Sequence, residues 1–101
     1  MTRPLRVIHC GTGTAGALAL GAILDDPGMQ LVGLLVHGEG KHGQDAGTLA
    51  GRPAVGVLAT SDVARLVALA ADCVCYMMLT PDPDHIAAFL DSGKRVVTTA
   101  G

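Results

Sequence analysis

The chain has 101 residues, of which 50% are apolar, 14 are glycine and 16% are charged, with a formal net charge of −2. That length holds one compact domain, residues 1–101. So apolar a chain with so little net charge is not intrinsically disordered. It contains no run of about 18 apolar residues, so no membrane-spanning helix is expected.

The aromatic residues are Tyr76 and Phe89 alone, and seven Lys and Arg stand against nine Asp and Glu. That supplies neither stacking platform nor basic groove, so nucleic acid is not an expected partner. Arg3 and Arg6 before the apolar stretch Ala15 to Leu24 imitate a secretory leader. His9, the interspersed glycines and Asp25-Asp26-Pro27 at the would-be cleavage site argue against one, and a cytoplasmic location is expected. Cys10, Cys73 and Cys75, an odd number, do not read as a disulfide framework. They read as reduced strand thiols that pack as small hydrophobes.

Arg6 to Cys10 is a short run with β-branched residues that stops at Gly11, and it predicts a first strand. From Ala15 the apolar spacing turns helical through Leu20, Ile23 and Leu24, with Gly16 and Ala17 one turn earlier, until Asp26-Pro27-Gly28 breaks it. Leu31 to Val36 is continuously apolar, as in a strand covered on both faces. A Gly-rich polar connection follows from His37 to Gly43, and Asp45 is placed to cap a helical turn through Leu49.

Val55-Gly56-Val57 predicts a weak third strand. Thr60 or Ser61 is the expected cap of the next helix, with Asp62 in its first turn and Val63, Leu66, Val67 and Ala70 as its buried stripe. Asp72 to Met78 predicts a fourth strand. Thr80 to Asp84 opens a helix with Ile86, Phe89 and Leu90 on its apolar face and Gly93 past its end. Arg95 to Thr99 predicts a fifth strand. Strands alternating with helices imply an α/β, doubly wound parallel sheet, and right-handed crossovers give the Rossmann-type order 3-2-1-4-5.

Gly11-Thr12-Gly13-Thr14-Ala15-Gly16 is a complete G-x-G-x-x-G placed between the first strand and the first helix. Gly11 allows the tight turn, Gly13 leaves the backbone open to a pyrophosphate, and Gly16 lets helix and sheet approach. The free N–H groups at the helix start would hold that anion, with Thr12 and Thr14 adding hydroxyls.

An acid at the tip of the second strand would bind the 2′-hydroxyl of NAD. The sequence there reads Val36-His37-Gly38-Glu39-Gly40-Lys41-His42, with Glu39 two residues past the tip. His37, Lys41 and His42 bring positive charge instead, which favours NADP over NAD as cofactor, or acceptance of both. Ligands of open α/β sheets bind outside the carboxyl ends of the strands. Leu79, Thr80, Pro81 and Thr99 lie on that edge and are candidates for the nicotinamide half. His9, on a core strand, and His85, in a first helical turn, are expected to be structural.

Gly43-Gln44-Asp45-Ala46-Gly47-Thr48-Leu49-Ala50-Gly51 is similar to the G-x-D-x-G-x-L-x-G segment of dihydrodipicolinate reductases. Ser92 to Gly101 resembles the end of that family's cofactor domain, where a T-T-x-G-like turn borders the nicotinamide, so Thr99 and Gly101 join the candidates. The amine dehydrogenase branch, with 2,4-diaminopentanoate dehydrogenase, keeps a long Gly-rich loop here and looks closer. Met77-Met78-Leu79-Thr80-Pro81 keeps the Thr-Pro of the reductases' D-F-T-x-P segment but not its acid or aromatic. Thr98-Thr99-Ala100 stands where glucose–fructose oxidoreductase relatives carry E-K-P.

The resemblance implies an NAD(P)-dependent oxidoreductase that transfers hydride at a C=N or C=C bond. It also implies that the substrate domain, with its His-His, Lys and P-S-G-T elements, is not in this chain. The chain is then an N-terminal cofactor domain, inactive alone, whose full-length form is expected to be a homo-oligomer. An apolar patch beside Val96 and Val97 is expected to meet that missing domain or a partner chain. The alternative is a stand-alone nucleotide-binding module that regulates or senses without catalysis.

Overall fold

The computed structural model describes residues 3–37 and 40–98. The β-branched run after Arg6 forms β1 (Leu5–Cys10), which lies inside the sheet. β2 (Met29–Leu35) pairs on one side of it and β3 (Cys73–Tyr76) on the other, and β4 (Arg95–Thr98) completes the sheet beyond β3. Every pairing is parallel, in the order β2-β1-β3-β4. His9 lies level with Leu34 on β2 and Cys75 on β3, and Cys75 with Val97 on β4.

Alternate residues of β1 feed two cores. Val7, Leu31 and Leu34 meet Leu20 and Ile23 of α1 (Thr14–Asp25) and Ala46 of α2 (Ala46–Leu49) on one face. Ile8, Cys10, Leu35, Val74 and Tyr76 meet Leu66 of α3 (Val63–Val67) and Phe89 of α4 (Pro83–Asp91) on the other. Each large aliphatic or aromatic side chain so buried contributes about 1.5–3 kcal/mol. This four-stranded parallel sheet with helices on both faces is a Rossmann-like α/β fold. None of the described helices is long and apolar enough to cross a membrane.

The sheet has four strands rather than the expected five. The Asp45 carboxylate takes the N–H groups of Val55 and Gly56, which a strand would have offered to β2, and Gly56 turns the chain at φ +82°. Leu58 bridges back to Asp45, and Thr60 alone reaches the sheet, bridging Leu35 in parallel. The order 3-2-1-4-5 therefore reduces to its last four strands.

Smaller corrections have equally local causes. Asp62, not Thr60 or Ser61, caps α3, accepting from the Ala64 N–H, while Thr60 Oγ1 accepts from the Asp62 N–H. α3 ends at Val67, so Ala70 falls outside it and is exposed. Leu90 is 53% exposed because α4 turns Phe89 into the core in its place. The fourth expected strand shortens to β3. Gly93, at φ +87°, takes the left-handed position after α4 as expected. The cysteines are free thiols, Cys10 buried and Cys73 and Cys75 half-buried. Val96 is half-buried against the second core, whereas Val97 stands 61% exposed.

Candidate functional site

The carboxyl ends of three strands converge on the turn after β1. The Gly11 N–H donates to Leu35 O at 2.9 Å, and the Met77 N–H to Cys10 O at 2.8 Å. Gly11 has φ +107°, and a Cβ there would collide with the Met77 carbonyl. Its lack of a side chain is required twice over, by conformation and by contact. A Cβ on Gly16 would lie 2.6 Å from Gly11 O, so the first turn of α1 closes on the turn that precedes it.

Gly13 differs from both. It caps α1 at φ −65°, a conformation open to any residue, and the nearest atoms a Cβ would meet belong to the Leu79 side chain, at an ordinary 3.5 Å. It makes no side-chain cap bond, and the first turn holds no acid. The N–H groups there are uncapped and the positive end of the helix dipole is not neutralised, which suits an anion. Thr14 and Ala15 are exposed at this end.

Over the turn opens a cleft of about 290 Å³, lined by Gly11, Thr12, Gly13, His37, Lys41, Met78, Leu79 and Thr80. None of these lining residues is acidic. His37 stands at the β2 exit, and Lys41 folds back so that its Nζ donates to Thr12 Oγ1 at 2.8 Å. Leu79 is 91% exposed, its side chain beside Gly13. Chain segments far apart in sequence thus supply one cleft wall each.

Other expected residues lie elsewhere. His42 is turned to the start of the α3 segment, where its Nδ1 accepts the Ser61 N–H at 3.1 Å, and it does not line the cleft. Pro81 is exposed past the lining residues. Thr99, Gly101 and Glu39 lie outside the described residues. Met78 also lines the cleft, although its apolar run reads as strand interior and makes it no candidate by sequence. Its place one residue before Leu79, at a strand's carboxyl end, was the available signal.

His9 lies beneath the turn, fully buried. Its Nε2 is 2.8 Å from Gly16 O, and since a carbonyl only accepts, Nε2 carries the hydrogen. Nδ1 is buried without a partner. Burial pushes this imidazole below its ordinary pKa, although the carbonyls of Gly16 and Gly11 oppose the shift. His85 stays in the first turn of α4, 3.4 Å from the capping Asp82 carboxylate. No metal-ligating cluster of three or more His, Cys, Asp or Glu occurs among the described residues.

No protein-family model matches the chain, so the dihydrodipicolinate reductase side of the resemblance gains no support of that kind. An amine dehydrogenase of Streptomyces virginiae is 39% identical over 96 residues, covering 89% of this chain and 27% of that protein. The solved structure of an amine dehydrogenase from Mycobacterium smegmatis superposes with a TM-score of 0.83 at 27% identity, over 93% of this chain and 29% of that one. The chain is therefore similar to amine dehydrogenases over nearly its whole length, while spanning little more than a quarter of either relative.

Proposed function

We propose that this chain is the dinucleotide-binding domain of an amine dehydrogenase-like oxidoreductase. The observation that carries the reading is the contrast among the three fingerprint glycines. Packing accounts for Gly11 and Gly16, but the fold leaves room for a side chain at Gly13. A glycine there serves a group that approaches the backbone from outside, at the bare N-terminus of a helix of 12 residues. A pyrophosphate fits both features.

On the β2 side, His37 and Lys41 would receive the adenosine ribose. With no acid among the described lining residues to accept from a 2′-hydroxyl, and with the Lys41 ammonium there, that subsite favours the 2′-phosphate of NADP over NAD. On the β3 side, Met78, Leu79 and Thr80 offer an apolar wall with one hydroxyl to the nicotinamide half, the half to which the resemblance also assigns Thr99 and Gly101. A nicotinamide cofactor bound here would supply hydride exchange at a C=N or C=C bond. The chain's own part is to bind the phosphates, orient the ring and exclude water. Substrate-binding and proton-transfer groups would come from outside these 101 residues.

Calorimetry with NADPH and NADH tests the reading. NADPH should bind more tightly, and Lys41→Ala should erase most of the difference. Gly13→Ala should weaken both ligands by about tenfold while changing stability by less than about 1 kcal/mol, the usual difference between glycine and alanine at a helix cap. Absence of binding by either dinucleotide at millimolar concentration would overturn the proposal, as would a Gly13→Ala variant with undiminished affinity.

A further inference from the structure

We infer that His9 is a positioning residue for the anion site: rooted in the sheet beneath the fingerprint, its neutral imidazole fixes the pitch at which α1 presents its free N–H groups to the cleft. The inference rests on the proposed dinucleotide reading and adds the group that would hold the phosphate cradle in shape.

A helix start that binds an anion has a structural difficulty. The side chain that normally caps it also fixes its first turn, and capping would consume the N–H groups the ligand needs. α2, α3 and α4 are capped by Asp45, Asp62 and Asp82, each accepting backbone N–H bonds. α1 has no side-chain cap bond and no acid in its first turn. His9 does the fixing from the other side. It donates from Nε2 to the Gly16 carbonyl, an acceptor on the first turn, and so leaves the N–H groups free.

The two ends of this bond are rigid. His9 is held in the sheet between Leu34 and Cys75, and Gly16 is pressed against the Gly11 carbonyl. Packing alone does not explain an imidazole here. Its Nδ1 is buried without a partner, which costs free energy that an apolar side chain of similar volume would not incur. What the imidazole adds over such a side chain is the bond made by its other nitrogen.

The arrangement works only with neutral imidazole. β2 (MQLVGLL), α2 (AGTL) and the first two turns of α1 bring no ionisable side chain to His9. Asp25, at the far end of α1, is paired with Arg52. β3 brings Cys75 level with His9, and Cys73 one step along the same face. Burial, more than any neighbour, pushes both thiols up, so they remain neutral. A second proton on His9 would find no counter-charge among these groups and would sit beneath the positive end of the α1 dipole. The burial that lowers this imidazole's pKa keeps it in its working form at neutral pH.

ADP-ribose is the probe, because its pyrophosphate diester keeps the same charge between about pH 8 and pH 5 while histidine titrates within that range. Its affinity is measured for the 101-residue chain and for His9→Gln and His9→Leu, with circular dichroism on the same samples. His9→Gln keeps an N–H donor without a titrating ring and should bind within about threefold of the parent, whereas donorless His9→Leu should bind about tenfold more weakly at neutral pH. The parent's affinity should fall toward the acid end of the range, and that of His9→Gln should not.

A folded His9→Leu that binds as tightly as the parent overturns the inference. So does an acid decline that survives in His9→Gln, or a parent with no decline. Should His9→Leu not fold, the two pH profiles decide alone. If the parent fails to bind ADP-ribose, the dinucleotide reading itself falls; parent binding that His9→Leu leaves untouched removes only the role of His9.

Discussion

Four backbone N–H groups converge on the carboxylate of Asp45. Oδ2 accepts from Gly47 at 2.8 Å, Thr48 at 3.3 Å and Val55 at 3.0 Å, and Oδ1 from Gly56 at 2.8 Å. One side chain thus caps α2 and closes the loop that returns the chain toward Thr60. The bond from Val55, then those from Gly56, Thr48 and Gly47, hold this carboxyl below the ordinary carboxylate range against some opposing desolvation. Because the folded-state pKa is the lower one, the stabilisation is fully present above the unfolded value of about 3.9 and is lost as pH falls through the folded value. Asp45→Ala should therefore lower the Tm at neutral pH by several degrees, and the gap to the parent should shrink in melts near about pH 2. A gap unchanged between the two conditions would mean that the alanine acts through the chain's conformation and not through the lost carboxylate.

The same carboxylate explains where the sequence misled. Val55-Gly56-Val57 has the residue types of a strand, but nothing in those three residues reveals that Asp45 takes the N–H groups of Val55 and Gly56. Local patterns were readable wherever local physics decided them: the β-branched run of β1, Asp26-Pro27 after α1, Gly93 after α4. The fingerprint was readable for the same reason, since the strand, turn and helix that give it meaning are adjacent in sequence. Met78 and the turning away of His42 were not, because each depends on a meeting of distant segments.

Gly33 is such a meeting point between elements. A Cβ there would lie 2.6 Å from Leu66 Cδ2 and 3.1 Å from Leu69 Cδ1, so α3 sits on β2 at a distance that only glycine permits. Leu66 is 3% exposed and has little freedom to yield. Overpacking of this kind costs about 1–3 kcal/mol, more than the roughly 0.5–1 kcal/mol that alanine regains over glycine in a strand. Gly33→Ala should lower the urea midpoint with an unchanged slope. A midpoint equal to or above the parent's would show that Leu66 gives way freely and that the close approach of α3 is incidental.

The molecule as a whole is built asymmetrically around its sheet. α1 and α2 lie over β1 and β2 on one face, and α3 and α4 occupy the other. On the α1 side the sheet continues through half-buried Cys73 and Cys75 to Arg95 and Val97 on β4, both exposed. A chain with 16% charged residues, where about a quarter is usual, has few charges to spend on such a strip. An exposed β-branched residue on the last strand of a sheet is prone to intermolecular contact. The parent chain should show an apparent mass by light scattering that climbs with concentration, and Val97→Lys should flatten that climb. The lysine points into solvent on an edge strand, so its effect on stability should stay within the roughly 1 kcal/mol spread of strand propensities. A parent that stays monomeric at every concentration, with Val97→Lys indistinguishable from it, would show that the strip is inert and that its apolar character has no bearing on association.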